Sequence, residues 1–237
     1  MVGAGEDGEA ATGVIEFRNV SFGYGGDPVL NDVTLQLESG SLHFLTGRSG
    51  AGKTTFLRML YLALKPNSGE VMVFDRDTTK VQRREAAEMR RRMGVVLQDC
   101  DLLDHMTVLE NIALPLRVAG SNVADFGRDL RELGAWVGLG RRLNAKPPEL
   151  SSGERQRAAI ARAVVNSPDL VIADEPTGNV DADAADRIMA LFMELNRLGK
   201  TVLIATHDMN LMRAAQGAQA HVLRVEKGGV ARSGAPL

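Results

Sequence analysis

The chain has 237 residues, 44% of them hydrophobic and only 4% aromatic, which is enough for one large α/β domain with a mostly aliphatic core. Its 28 basic and 30 acidic residues leave a formal net charge of −2, and this argues against a protein that coats nucleic acid or an anionic membrane, since either favours a basic excess. Cys100 is the only cysteine, so no disulfide can form within the chain and a reducing compartment suits it.

In chain order, Met1–Gly13 is acidic and rich in small residues, which reads as a disordered tail without the basic-then-apolar order of a secretion signal. The apolar runs Val14–Phe22 and Val29–Leu37 predict strands of an antiparallel sheet. Leu42–Thr46 reads as a buried strand running into a glycine-rich turn, with a helix beginning near Lys53. Gly69–Phe74 predicts another strand, a charged helix follows through Arg92, and Val95–Leu97 is a short strand. In that helix Glu85 and Glu88 interrupt the arginines, so it reads as a solvated face rather than a nucleic-acid contact.

From about Asp99 to Leu150 the pattern turns helical, with Val108–Val118 and Phe126–Val137 broken by Gly120 and Pro147-Pro148. A helix over Gly153–Val165 comes next, then the strand-like runs Leu170–Ala173, Val202–Ala205 and Ala220–Val225, separated by helical stretches. Strands alternating with helices imply a parallel sheet covered on both faces. The expected organisation is an α/β domain over 14–227, with a helical subdomain at about 99–165 inserted in its core, an antiparallel β layer in front, and tails at 1–13 and 228–237. No run approaches the roughly 18 uninterrupted apolar residues of a membrane span. The expectation is a cytoplasmic protein that reaches a membrane only through another protein.

Gly47-Arg48-Ser49-Gly50-Ala51-Gly52-Lys53-Thr54 fits the phosphate-loop pattern G-x-x-x-x-G-K-[ST]. Its glycines let backbone N–H groups converge on phosphate oxygens, and the following helix points its positive end at them. Lys53 is suited to neutralise the terminal phosphates and the Thr54 hydroxyl to ligate Mg²⁺; Thr55 completes the loop. The apolar run before Asp174-Glu175 places Asp174 at the carboxyl edge of the sheet, where it too can hold Mg²⁺. Glu175, one residue on, is disposed to orient or deprotonate the attacking water.

Leu150-Ser151-Ser152-Gly153-Glu154 resembles the Leu-Ser-Gly-Gly-Gln signature of ABC ATPases. With Tyr24 in the front β layer, Gln98 at a strand end, Asp181 after the second acid and His207 after an apolar run, the order of elements is the ABC order throughout. The stretches Phe44 to Lys53, Asn111 to Gly120, Ala159 to Asn166 and Ala205 to Asp208 look like the FtsE group, and the resemblance covers about Val14 to Val225. The stretch Asp174 to Asp181 is shared with lipoprotein-releasing and macrolide-export ATPases. The fold implied is a P-loop NTPase of ABC type.

That resemblance implies a head-to-tail homodimer with ATP sandwiched between subunits, each ATP on one phosphate loop and closed by Ser151 and Gly153 of the other copy. It also implies that Tyr24 stacks on adenine, that Gln98 senses Mg²⁺ and the γ-phosphate, and that His207 supports the transition state beside Glu175 and Lys53. The implied partner is an FtsX-like integral membrane protein, with this chain peripheral on the cytoplasmic face of the bacterial inner membrane, in control of cell-wall hydrolysis at division, and with no nucleic acid. A lipoprotein-releasing or macrolide-type transport ATPase and a low-turnover nucleotide-binding scaffold remain alternatives. The chain departs from the signature at two places: Ser152 stands where a glycine is usual, so a side chain is expected where backbone meets phosphate, and Glu154 stands for Gln.

Overall fold

The structure, a computed structural model, describes residues 13–215 and 217–234. The expected tail at 1–13 thus lies outside the described residues except for Gly13, which opens the first strand.

Two sheets organise the chain. Strands β1 (Gly13–Phe22), β2 (Leu30–Glu38), β4 (Ser68–Val73) and β5 (Arg76–Asp77) form an antiparallel sheet in the order β2-β1-β4-β5. The second sheet runs β10-β9-β3-β8-β7-β6, from β3 (Leu42–Thr46), β6 (Met93–Val96), β7 (Leu170–Asp174), β8 (Thr201–Ala205), β9 (His221–Glu226) and β10 (Gly229–Arg232). All neighbours in it are parallel except the β9/β10 pair. The central strands β3, β7 and β8 are buried along almost their whole length, as a sheet covered on both faces requires.

One core lies between the antiparallel sheet, helix α1 (Lys53–Leu60) and one face of the parallel sheet, where the Phe17 and Phe56 rings stack at 4.4 Å. The other face packs on α5 (Ser152–Val164) and α6 (Ala182–Arg197). A charged helix, α2 (Arg83–Arg91), precedes β6, and a short one, α7 (Met209–Ala214), follows β8. The helical insert builds a third cluster from α3 (Val108–Val118), α4 (Gly127–Trp136) and α5. Thr107 starts α3 with a capping box: its hydroxyl accepts from the Glu110 N–H, and the Glu110 carboxylate accepts from the Thr107 N–H at 2.8 Å. Among the described residues no helix is long and apolar enough to cross a membrane.

Two pieces depart from the sequence expectation. Residues 228–237 are not simply a tail, because Gly229–Arg232 is the edge strand β10, paired with β9 from Gly229 opposite Glu226. Strand β5 was not anticipated at all. Both follow tight hairpin turns whose two central residues have positive φ, Lys227 and Gly228 in one, Phe74 and Asp75 in the other. That backbone is the type I′ pattern, normally signalled by Asn-Gly or Asp-Gly, and neither turn carries those letters. Gly69–Phe74, a strand as expected, belongs to the antiparallel sheet rather than the parallel one.

Candidate functional site

The parallel strands deliver their carboxyl ends to one edge of the sheet, the place where open α/β sheets bind ligands. β3 runs into Gly47–Gly52 and then α1, β7 ends on Asp174, β8 is followed by Thr206-His207, and β6 leads to Gln98. Gly52, the N-cap of α1, has φ 108°, a left-handed backbone that glycine adopts without strain. It turns the loop so that the first turn of α1 faces the strand ends. Arg48, Ser49 and Gly50 are exposed and Ala51 half-buried, whereas Lys53 and Thr55 are buried.

Around that loop the charged groups converge. The Thr54 hydroxyl donates to Asp174 Oδ2 at 2.9 Å. Lys53 Nζ donates to the Gly47 carbonyl at 3.0 Å and lies 3.6 Å from Glu175 Oε1. His207 Nδ1 sits 3.0 Å from both Glu175 carboxylate oxygens. Glu175 itself has φ 46° and donates its N–H to the Ala205 carbonyl. This left-handed residue breaks the strand direction, so that Asp174 faces the loop while Glu175 reaches Lys53 and His207. Burial pushes the Asp174 carboxyl above its ordinary value, with the Glu175 charge adding to it and the Thr54 hydrogen bond and Lys53 opposing. The Thr54–Asp174 pair offers oxygen donors only, a set that fits a hard divalent cation whose remaining positions go to phosphate and water.

Tyr24 is exposed, stands edge-on to Phe22, and brings its hydroxyl within 3.4 Å of Thr55 Oγ1. Gln98 lies beyond the end of β6 and lines a polar cavity of about 200 Å³ together with Ser152, Arg155, Gln156 and Glu175. Ser151 and Gly153 occupy the start of α5, and among the described residues no hydrogen bond or ion pair joins them to the phosphate loop of their own chain. Ser151 is the N-cap: its hydroxyl accepts from the Glu154 N–H, and Glu154 Oε2 accepts from the Ser151 N–H. Glu154 thereby completes a capping box, and Arg142 donates to its other oxygen at 3.2 Å. These bonds to the charged form hold the Glu154 carboxyl below its ordinary value, the Ser151 backbone contributing most and burial opposing. Gly153 is required by packing, since a Cβ there would stand 2.8 Å from the Ala184 Cβ of α6. Ser152, the first residue of the helix, lines the cavity on its own chain's side.

Residues 30–178 match the family profile described as ABC transporter. The chain belongs to the ABC transporter family, and within it to the FtsE group. It is 44% identical over 200 residues to the cell division ATP-binding protein FtsE of Escherichia coli (strain K12), covering 84% of this chain and 90% of that protein. The FtsE proteins of Streptococcus pneumoniae serotype 2 and Bacillus subtilis are 40% and 37% identical over 220 residues, covering 92% of this chain in both cases and 94% and 95% of theirs. Among solved structures, a dimeric ATP-binding cassette in a post-hydrolysis state bound to ADP and Pi superposes with TM-score 0.82 at 32% identity, over 93% of this chain and 98% of that one. A dimeric bacterial ABC transporter cassette does so with TM-score 0.81 at 34% identity and the same coverage.

This FtsE-group chain is therefore an ATP-binding ATPase with the ABC cassette fold. Sequence reasoning missed three arginines that support the site. The Tyr24 phenol holds the pKa of Arg58 on α1 above its ordinary value, Arg142 holds Glu154, and Arg162 on α5 donates to the Cys100 and Asp101 carbonyls. Each acts through a partner distant in sequence or through main chain, and neither kind of partner leaves a spacing to read.

Proposed function

We propose that this chain is the ATPase of an FtsE–FtsX-type complex, which couples ATP hydrolysis to an integral membrane protein that controls cell-wall hydrolysis at division. In this reading it works as a homodimer, peripheral to the cytoplasmic face of the inner membrane. The observation that carries it is the convergence of five residues at one sheet edge, Thr54 with Asp174 at 2.9 Å, Lys53 with Glu175 at 3.6 Å and His207 with Glu175 at 3.0 Å.

Backbone N–H groups of Gly47–Lys53 cradle the phosphates and Lys53 neutralises them, leaving Glu175 for the γ-phosphate to approach. Thr54, Asp174 and Gln98 would hold Mg²⁺, which would supply neutralisation of the phosphate charge when bound. Glu175 takes the proton of the attacking water. His207, hydrogen-bonded to that carboxylate, holds its orientation and reaches toward the γ-phosphate. Tyr24 gives the adenine a stacking face. Ser151 and Gly153 close the nucleotide of the second copy, which agrees with the want of any bond between them and their own phosphate loop. The membrane partner docks after Gln98, where Leu103 and Met106 stay half-buried outside the packed clusters.

The test at the site is Lys53→Ala. Without its main cation the phosphate charge is uncompensated, and hydrolysis should fall at least about a hundredfold, roughly 2.7 kcal/mol in the barrier, with MgATP bound weakly. Turnover at the parent rate would refute the phosphate-loop assignment.

A further inference from the structure

A second concavity lies away from the phosphate loop, where the insert meets the core near the amino ends of β7 and β8. Helices α5 and α6 both end there: Ser167, with φ 49°, and Gly199, with φ 82°, turn the chain toward the two strands. Helix α4 closes the third side. The gap between them is a cavity of about 340 Å³, walled by Leu133 and Trp136 of α4, Val164 and Pro168 at and after the end of α5, and Leu195 and Leu198 at and after the end of α6. Trp136 and Leu198 are 37% and 60% exposed. Large apolar side chains left open beside a concave apolar wall mark a binding surface.

The polar groups at the mouth choose the occupant. Lys200 Nζ donates to the Ser167 carbonyl and to the Ser167 hydroxyl oxygen, both at 3.2 Å. An ammonium has three protons to donate, so one is unused, and among the described residues Lys200 forms no ion pair. The Ser167 hydroxyl accepts its bond and keeps its own proton to give. The nearby carboxylates are already occupied: Glu132, also on the rim, pairs with Arg128 at 2.7 Å, and Glu194 with Arg197 at 2.6 Å. The carbonyls of Glu194, Leu195 and Asn196 at the end of α6 are occupied too, by the N–H groups of Leu198, Lys200 and Gly199. An apolar wall with two unused donors at its mouth, one of them charged, matches a molecule with an apolar body and an anionic, acceptor-only head. A carboxylate is such a head, with an oxygen for each donor. Clefts for small ligands start at about 300 Å³, so the body that fits is a single chain of about ten carbons.

We propose that this cavity binds a medium-chain aliphatic carboxylate, its chain against Leu133, Trp136 and Leu198 and its head on Lys200 and Ser167. The occupant touches α4 of the insert and the end of α6 in the core together. It does so at the sheet edge opposite the phosphate loop, in a site apart from the nucleotide's.

The experiment uses the full chain with saturating ADP, which keeps the nucleotide site filled, and decanoate below its micelle concentration as the probe. Trp136 is the only tryptophan in the chain, so its emission reports on this cavity directly. Decanoate should shift that emission saturably, and uncharged decanol should bind at least about fivefold more weakly. Lys200→Met keeps an apolar stem and removes the ammonium. It should weaken decanoate at least about fivefold and leave decanol within about twofold of the parent. Leu198→Glu, at an exposed position, sets a second carboxylate at the mouth; it should melt at the parent temperature and weaken decanoate at least about tenfold. An emission that decanoate does not change, equal affinity for decanol and decanoate, or parent-like decanoate binding by Lys200→Met would each overturn the proposal. Should Lys200→Met not fold, parent-like binding by Leu198→Glu overturns it alone.

Discussion

His43, near the start of β3, is fully buried, with its Nε2 2.7 Å from the Ser41 hydroxyl and its ring stacked at 5.1 Å on His221. Ser41 already donates its only proton to the Glu38 carbonyl, so Nε2 must carry the imidazole proton and donate it to Ser41. Nδ1 is then a bare lone pair, and it has no partner. Protonating it would bury a charge with no acceptor, beside His221 and Arg232; burial and those charges lower the His43 pKa to about 3. The sign follows from linkage: the unfolded chain takes up this proton near pH 6.5 and the folded chain does not. Stability is therefore complete above pH 6.5 and declines as pH falls toward 3, by up to about 1.4 kcal/mol per pH unit. In urea unfolding at pH 7 and pH 5, His43→Leu should flatten that decline, and an identical decline in the variant would show that His43 is not its source. Lys53, Thr54 and Asp174 were legible because loop spacing and a strand end fix them. His43 was not, because its strain arises from a pairing with β9 almost 180 residues away in sequence.

At the scale of elements, the stretch after Gln98 divides into two kinds of apolar side chain. Leu102 and Leu109 pack into the cores around them. Leu103 and Met106 do not, although their main chain is fixed by the buried Asn111, whose amide donates to the carbonyls of both and whose Oδ1 accepts from the Leu103 N–H. A rigid backbone carrying half-exposed apolar side chains is suited to receive a partner helix. Leu103→Asp should abolish co-sedimentation with membranes that contain the partner while leaving ATP binding at the parent level; retained co-sedimentation, or binding of the parent chain to protein-free vesicles, would end the docking proposal. Most elements could be read from the sequence because each carries a local signal, such as the glycine-rich turn that opens α1 or the unbroken apolar run of β7. The hairpins into β5 and β10 escaped because Phe74-Asp75 and Lys227-Gly228 adopt positive φ without the usual letters. The partition of strands between sheets depended on register, which no single run contains.

At the scale of the molecule, one parallel sheet joins the phosphate loop to the two acids, and α5 joins the Gln98 loop to the signature surface. The chain holds its own phosphate loop and its own signature on separate elements, each without a hydrogen-bonded counterpart from the other. Two copies arranged head to tail would supply each with its complement, and hydrolysis at Glu175 would part them. The decisive measurement is sedimentation of Glu175→Gln with and without MgATP. Removing the proposed base should leave nucleotide bound and produce a dimer with MgATP, a monomer without nucleotide, and slow or no release of phosphate. A variant that binds ATP yet remains monomeric at every concentration, or one that hydrolyses ATP at the parent rate, would contradict the account.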